Sequence, residues 1–459
     1  MKKNQIILAV ILSGGLAAGP RVLADDTTDA INQLKQQIQE LDQKVRILER
    51  QKELETEASQ EKAKQTPQIV VGADGFGFRS ADTNFALALH GHLQADSRTF
   101  LSDHGLPGND SFLLRRARPI LQGTLFHDFD FLFVPEFAGN NVQILDAYMN
   151  YRYRPELQLQ AGKFKPPVGL EALQADIYTL FNERSLATDL VPYRDIGVEL
   201  HGDIAGGVVS YAAGIFNGVP DYTTTTTNAA FDDNKAFEGR LFFQPFKRTS
   251  LSSLQGLGFG VGGSYEVDRA QPNNNELTSG FNTDGQQKFF TYTNGVFANG
   301  THWRLSPQGY YYWGPLGLMG EYVISDQEVT KGSANADLHN QAWEVAASWV
   351  LTGENASYTG VTPKHPFDPR ANHWGAFQLV GRYAELDVDD KAFPTFANPA
   401  TSASEADAWA AGLNWYLNRN IRVNASFSRT TFLGNINPKQ ATVTRQPENV
   451  IFTRMQLAF

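Results

Sequence analysis

The chain is 459 residues long with 39 Lys and Arg against 49 Asp and Glu, a formal charge of −10, which argues against nucleic acid as a partner. It has no cysteine, so disulfide scaffolds, cysteine-based zinc sites and thiol catalysis are excluded, while the redox compartment stays open. After residue 24 no apolar run approaches the ~18–20 residues a membrane-spanning helix needs, and 40 Gly, 31 Phe and 16 Tyr beside only 4 Met suit pleated segments and turns better than packed helices.

Residues 1–24 read as an export address. Lys2 and Lys3 form a positive start, Ile6 to Leu12 a short apolar stretch, and Val22-Leu23-Ala24 the small-residue pattern before a cut at Asp25. The competing reading is a buried N-terminal helix, but the order of charge, apolar stretch and small residues favours the signal peptide. Residues 25–66 change character. Ile31, Leu34, Ile38, Leu41, Val45 and Leu48 alternate spacings of three and four, with Gln, Glu, Lys and Arg between them, which is the seam of a short α-helical coiled coil. Three heptads are too few to be stable alone, so the segment is expected to depend on an oligomer; a single amphipathic helix packed on the chain's own body is the alternative. The seam is lost from Glu53 to Gln65, and Pro67 ends the stretch.

From Gln68 to Phe459 the period switches from 3.5 to 2. In Phe85 to Asp96, Phe85, Leu87, Leu89 and Leu93 share one face and His90, His92, Gln94 and Asp96 the other; the same alternation recurs at Glu156 to Ala161, Asp195 to His201, Ala236 to Pro245, Ala408 to Leu417, Asn420 to Thr431 and Val450 to Phe459. About 17 such segments can be traced, of roughly the ~9–11 residues a tilted membrane strand requires, and single-chain bacterial barrels hold an even number. A soluble sandwich would turn the apolar face inward, and a membrane barrel turns it to lipid. The export address, the aromatic residues near segment ends (Tyr151, Tyr153, Trp343, Trp349, Trp409, Trp415) and the aggregation hazard of so many open edges favour the membrane barrel over residues 67–459.

The residues here carry a resemblance. Phe112-Leu113-Leu114-Arg115-Arg116-Ala117-Arg118, Ala161 to Glu171, Asn182-Glu183-Arg184-Ser185 followed by Arg194 to Leu200, Gly412 to Leu417 and the closing Arg454-Met455-Gln456-Leu457-Ala458-Phe459 resemble the phosphate-selective porin O/P family across most of residues 68–459. The resemblance implies an all-β, 16-stranded antiparallel transmembrane barrel in the bacterial outer membrane. It also implies a homotrimer, an arginine-lined conduit, a loop folded into the lumen, and a terminal Phe459 similar to the signal read by outer-membrane assembly machinery. A trimer conflicts with the seam of the coiled coil, whose branched residues at a and Leu at d lean toward two strands; so short a seam specifies weakly.

With the apolar residues outward, Arg116, Arg118, Arg240, Arg382, Arg422 and Arg454 fall on the lumen side. Guanidinium stays charged at any working pH and forks two hydrogen bonds to a phosphate or carboxylate, so a ladder of six would favour oxyanions. The long segment Pro166 to Tyr193 interrupts the strands and is the candidate constriction, bringing Lys163, Lys165, Arg184 or Arg194 onto the solute path; its own Glu171, Asp176, Glu183 and Asp189 could offset that charge, and an ordinary external loop is the alternative. Arginines in barrel walls also serve simply to pair Glu199, Glu238 and Asp146. The barrel itself carries −10, which restrains a phosphate claim. Acidic loops at Asp232-Asp233, Asp387 to Asp390 and Glu405 to Asp407 are placed to bridge to lipopolysaccharide through divalent cations.

Enzyme readings are weak. Gly258 to Gly263 spells GxGxxG but continues as a strand, with no helix start to hold a pyrophosphate. His90-x-His92 with Asp96 is an isolated pair on a polar face, and nothing local suggests a lipase triad. No catalytic residue, metal or cofactor is expected. The expected partners are outer-membrane lipid, lipopolysaccharide, small anionic solutes and further copies of the chain. A second class of function, an envelope tether whose periplasmic coiled coil binds peptidoglycan, stays open.

Overall fold

The computed structural model describes residues 24–101, 108–224, 232–270, 276–433, 436–437 and 440–459. Residues 1–23, which carry the expected export address, lie outside them. The chain divides into two units, Met1–Thr66 and Pro67–Phe459.

In the first unit one α-helix, Ala24–Gln65, takes in both the heptad seam and the charged stretch after it. Ile31, Leu34, Ile38, Leu41, Val45 and Leu48 are all exposed along it, so among the described residues of this unit nothing covers the apolar stripe.

The second unit opens with a hairpin, Gln68–Gly72 and Gly75–Arg79. Sixteen strands follow: β1 (Ala86–Phe100), β2 (Ser111–Leu125), β3 (Phe129–Glu136), β4 (Gln143–Arg154), β5 (Leu157–Phe164), β6 (Asp195–Ile204), β7 (Val209–Phe216), β8 (Ala236–Phe243), β9 (Leu257–Asp268), β10 (Phe297–Trp313), β11 (Leu316–Lys331), β12 (Ala334–Val350), β13 (Ala376–Asp387), β14 (Glu405–Tyr416), β15 (Ile421–Leu433) and β16 (Glu448–Ala458). Each pairs antiparallel with the next, and β16 returns to β1 in a register running from Val450 opposite Phe100 to Ala458 opposite His92. The sheet therefore closes into a barrel. Where β16 runs out, Gly75–Arg79 takes over the same edge of β1, Phe76 opposite Leu89, so the rim leaves no bare ladder there.

The alternation read from the sequence has its physical counterpart in burial. On β1, His92, Gln94 and Asp96 are buried while Leu87, Leu89 and Leu93 are about two-fifths exposed, the signature of a barrel whose oily face is outside. Trp313, Trp349 and Trp374 stand exposed toward one rim and Tyr265, Tyr383 and Trp409 toward the other, as aromatic girdles do. Turns on the first rim are mostly short: residues 126–128, 155–156, 205–208, 314–315 and 417–420. Residues 244–256 and 351–375 are longer. The opposite rim carries most of the long connections, including residues 165–194 and 269–296.

Candidate constriction and lumen

Residues 165–194 run through the barrel interior, held by polar groups from many strands. Glu321 on β11 accepts from the backbone N–H groups of Leu170 and Glu171 at 2.7 and 2.8 Å. Gln308 on β10 donates to the Val168 carbonyl at 2.7 Å, Asn414 on β14 to that of Leu180 at 3.0 Å, and Gln456 on β16 to that of Ile177 at 3.1 Å. Residues 351–375 enter from the short-turn rim and meet the same loop: Tyr358 Oη donates to the Leu170 carbonyl at 2.6 Å, and Gln174 Nε2 to the Tyr358 carbonyl at 2.7 Å. Backbone that leaves the sheet inside a barrel must find such partners, because its peptide groups are otherwise unpaired and buried.

The loop's centre is Asp176. Its carboxylate is shared by Arg116 (3.2 Å), Arg184 (2.5 Å) and Arg118. Burial alone would push this carboxyl up, but Arg116, Arg184, Arg118 and Lys165 hold it well below the usual carboxylate range. Glu183 is a second counter-ion, bound by Arg98 and Arg115, each at 2.7 Å, and those guanidinium groups likewise outweigh its burial and hold it low. Arg194 forks onto Asp146 at 3.0 and 3.1 Å and lies 4.7 Å over the Tyr193 ring, where its charge meets the negative face of the aromatic. Arg184 donates to Tyr193 Oη at 2.9 Å.

Arg115 is a residue the alternation puts on the wrong face. A β-bulge on β2 shifts the register between Gln94, opposite Arg116, and Ala95, opposite Leu114. The extra residue turns Arg115 inward beside Arg116, and only the ladder reveals it. Arg98 continues the inward series His92, Gln94, Asp96, so the period of two was enough to find it.

The six wall arginines divide. Arg118 lines both a cavity of about 640 Å³ toward the short-turn rim and one of about 260 Å³ toward the long-loop rim. Arg116 lines the smaller cavity and Arg240 the larger. Arg240 donates to the neutral Gln308 at 2.8 Å and packs over Phe242, with no carboxylate partner among the described residues. Arg422 binds the Thr179 carbonyl at 2.9 Å and Gln456 at 3.2 Å, fastening the loop. Arg382 and Arg454 line neither of these two cavities and are held by carboxylates. Arg382 binds Asp284 at 2.8 Å and Glu171 at 3.4 Å, and Arg454 forks onto Asp96 at 2.7 Å in both arms. That last pair also removes Asp96 from any metal set with His90 and His92. Of the loop candidates, Lys163 sits on β5 itself, buried in the wall between Ala147 and Ile196, because strand pairing continues to Phe164. Lys165 turns back into the loop, donating to the carbonyls of Ala172 and Gln174 at 2.6 and 2.9 Å. A further group, Glu266, Asp268 and His302, brings potential ligand atoms within 4.8 Å of one another, but Arg304 donates to Glu266 at 3.3 Å and already supplies a cation there.

Two groups make the charge of this inward loop depend on pH. Burial, with Arg184 beside it, pushes the Lys165 ammonium down to about 7. Burial would raise the Tyr193 phenol, yet Arg184, Arg194 and Lys165 bring it down to about 7. Raising the pH through 7 removes a positive charge from the first and adds a negative charge to the second. Both changes have the same sign, so anion preference is expected to fall between pH 6 and 8. Reversal potentials at pH 5.5 and 8.5 check it; equal values would dissociate the loop from selectivity.

A closed barrel of sixteen strands with an oily exterior, a polar interior and a connection folded across the lumen is a porin. The description "Phosphate-selective porin O and P" matches residues 87–459, and the chain belongs to that family. Among its relatives, Porin O of Pseudomonas aeruginosa is 25% identical over 383 residues, covering 78% of this chain and 86% of the relative. Among solved structures, the outer membrane channel DcaP of Acinetobacter baumannii aligns with a TM-score of 0.53 at 11% identity, over 83% of this chain and 99% of that one. The anion-selective porin from Comamonas acidovorans aligns with a TM-score of 0.51 at 10% identity, over 82% of this chain and all of the other. At such identities these structures speak for the fold.

Proposed function

We propose that the protein is an outer-membrane diffusion channel that prefers small anions, phosphate and polyphosphate among them. The observation that carries this reading is the convergence of Arg116, Arg118 and Arg184 on the carboxylate of Asp176, beside two cavities that both have Arg118 in their walls. Arg118 is also paired with Glu136 at 2.6 Å, so these three guanidinium groups face two carboxylates and leave a net positive charge. Arg240, with no carboxylate partner among the described residues, extends the positive field beyond it. Fixed charge beside the inward loop outweighs the acidic balance of the whole barrel, because its field is least screened there. Membership of a family described as phosphate-selective supports phosphate as a solute class. Reversal potentials in a potassium chloride gradient test the reading: the chloride-selective sign is expected, and a potassium-selective one would overturn it.

In this proposal the barrel assembles as a homotrimer, with the helix Ala24–Gln65 in the periplasm and its exposed seam paired with that of other copies. Deleting residues 25–66 is expected to lower the melting temperature of the oligomer on native gels while leaving single-channel conductance near that of the full chain. Loss of envelope integrity with unaltered oligomers would point instead to a tether that binds the cell wall.

A further inference from the structure

We infer that the larger lumen cavity binds amphipathic organic anions, a carboxylate or phosphate head on a short alkyl or aryl body; this rests on the anion-channel reading above. The lumen of a water-filled barrel is expected to be polar. Yet Ile120, Leu132, Val134, Phe164, Leu173 and Ile177 all line this space of about 640 Å³. Ile120 and Leu132 are only half-buried on the inward faces of β2 and β3, so they wall an open volume and are not sealed core. Leu173 and Ile177 come from the loop, which therefore delivers apolar side chains to the same cavity where its Asp176 engages Arg118.

The cationic groups of that cavity are Arg118, Lys165, Arg194 and Arg240, with His92 beside them, and its carboxylates are Asp146, Asp176, Glu199 and Asp203. Asp176 is taken up by Arg118 and Asp146 by Arg194. Three polar atoms of this lining are buried with no hydrogen-bond partner among the described residues, Nη1 of Arg194, Nε2 of His92 and Oε2 of Glu199. The first two are on residues 2% and 5% exposed and can meet an oxyanion, whereas Glu199 directs the anionic head away from itself and toward the arginines. An unmade hydrogen bond from a buried polar group costs free energy that an incoming oxyanion would recover. Arg240 adds a guanidinium that, among the described residues, is paired to the neutral Gln308 and to no carboxylate. Inorganic anions can use the polar groups alone, whereas the apolar wall strengthens binding only for a ligand whose body displaces water from it.

The test uses the intact protein in planar bilayers. Half-blocking concentrations of the chloride current are measured for acetate, butyrate and hexanoate, and for inorganic phosphate against hexyl phosphate. The concentration is expected to fall with chain length, by up to about fourfold for each methylene that the wall buries, with hexyl phosphate blocking below inorganic phosphate. Arg240→Gln should raise it for every anion, and Leu132→Asn should flatten the chain-length series. A flat series in the natural protein, or inorganic phosphate blocking as well as hexyl phosphate, overturns the inference and leaves the anion channel intact. A series unchanged in both Leu132→Asn and Ile120→Asn places the effect in the bilayer and overturns it too. Cation-selective reversal potentials would remove the channel reading itself.

Discussion

Replacing Asp176 by asparagine is expected to raise anion selectivity sharply and to tighten phosphate block by roughly tenfold or more. The carboxylate is a tethered anion that occupies the place a solute oxyanion would take between Arg116, Arg118 and Arg184. At the effective dielectric of ~20 suited to such sites, a unit charge ~4 Å away is worth about 4 kcal/mol. Part of that is lost to solvent and to rearrangement of the guanidinium groups, and the ~1.4 kcal/mol that tenfold requires is a modest share. The same substitution leaves three arginines facing one another in the interior, so the loop should loosen: removing one partner of a buried ion pair costs about 3–5 kcal/mol. Block by phosphate and thermal unfolding, measured on one preparation, separate the two effects. Unchanged selectivity would mean that solute passes elsewhere in the lumen.

The second large effect is expected at the barrel's closing seam. Asp96 on β1 and Arg454 on β16 are 358 residues apart in sequence, meet in a fork with both contacts at 2.7 Å, and have fully buried side chains. Asp96→Asn or Arg454→Gln leaves a buried charge without its counter-ion, at a cost of about 3–5 kcal/mol. The double substitution removes both charges and should recover part of that loss. The pair Arg152–Asp130, with side chains 41% and 30% exposed, supplies the contrast: Arg152→Gln should cost less than about 1 kcal/mol. Unfolding in detergent with urea reads all four. Equal losses at the two sites would show that the seam does not rest on this pair.

The sequence by itself determined which face of each strand looks outward and which looks in. A period of two is a property of the local backbone, and the apolar set Leu87, Leu89, Leu93 can satisfy only one side of a sheet. It also determined the helix seam, and it marked residues 166–193 as a break in the pattern, because helix and strand periods are equally local. Tertiary structure decided what the inward charges do. Arg116, Arg382 and Arg454 look alike in alternation, yet one lines a cavity, one ties two inward connections together through Glu171 and Asp284, and one locks the barrel's closing strands together. Their partners lie up to hundreds of residues away and come within reach only when the sheet closes and the loop folds inward. The inward turn of Arg115 was beyond reach for a related reason: a bulge arises from the register of two paired strands, and no strand carries that register alone.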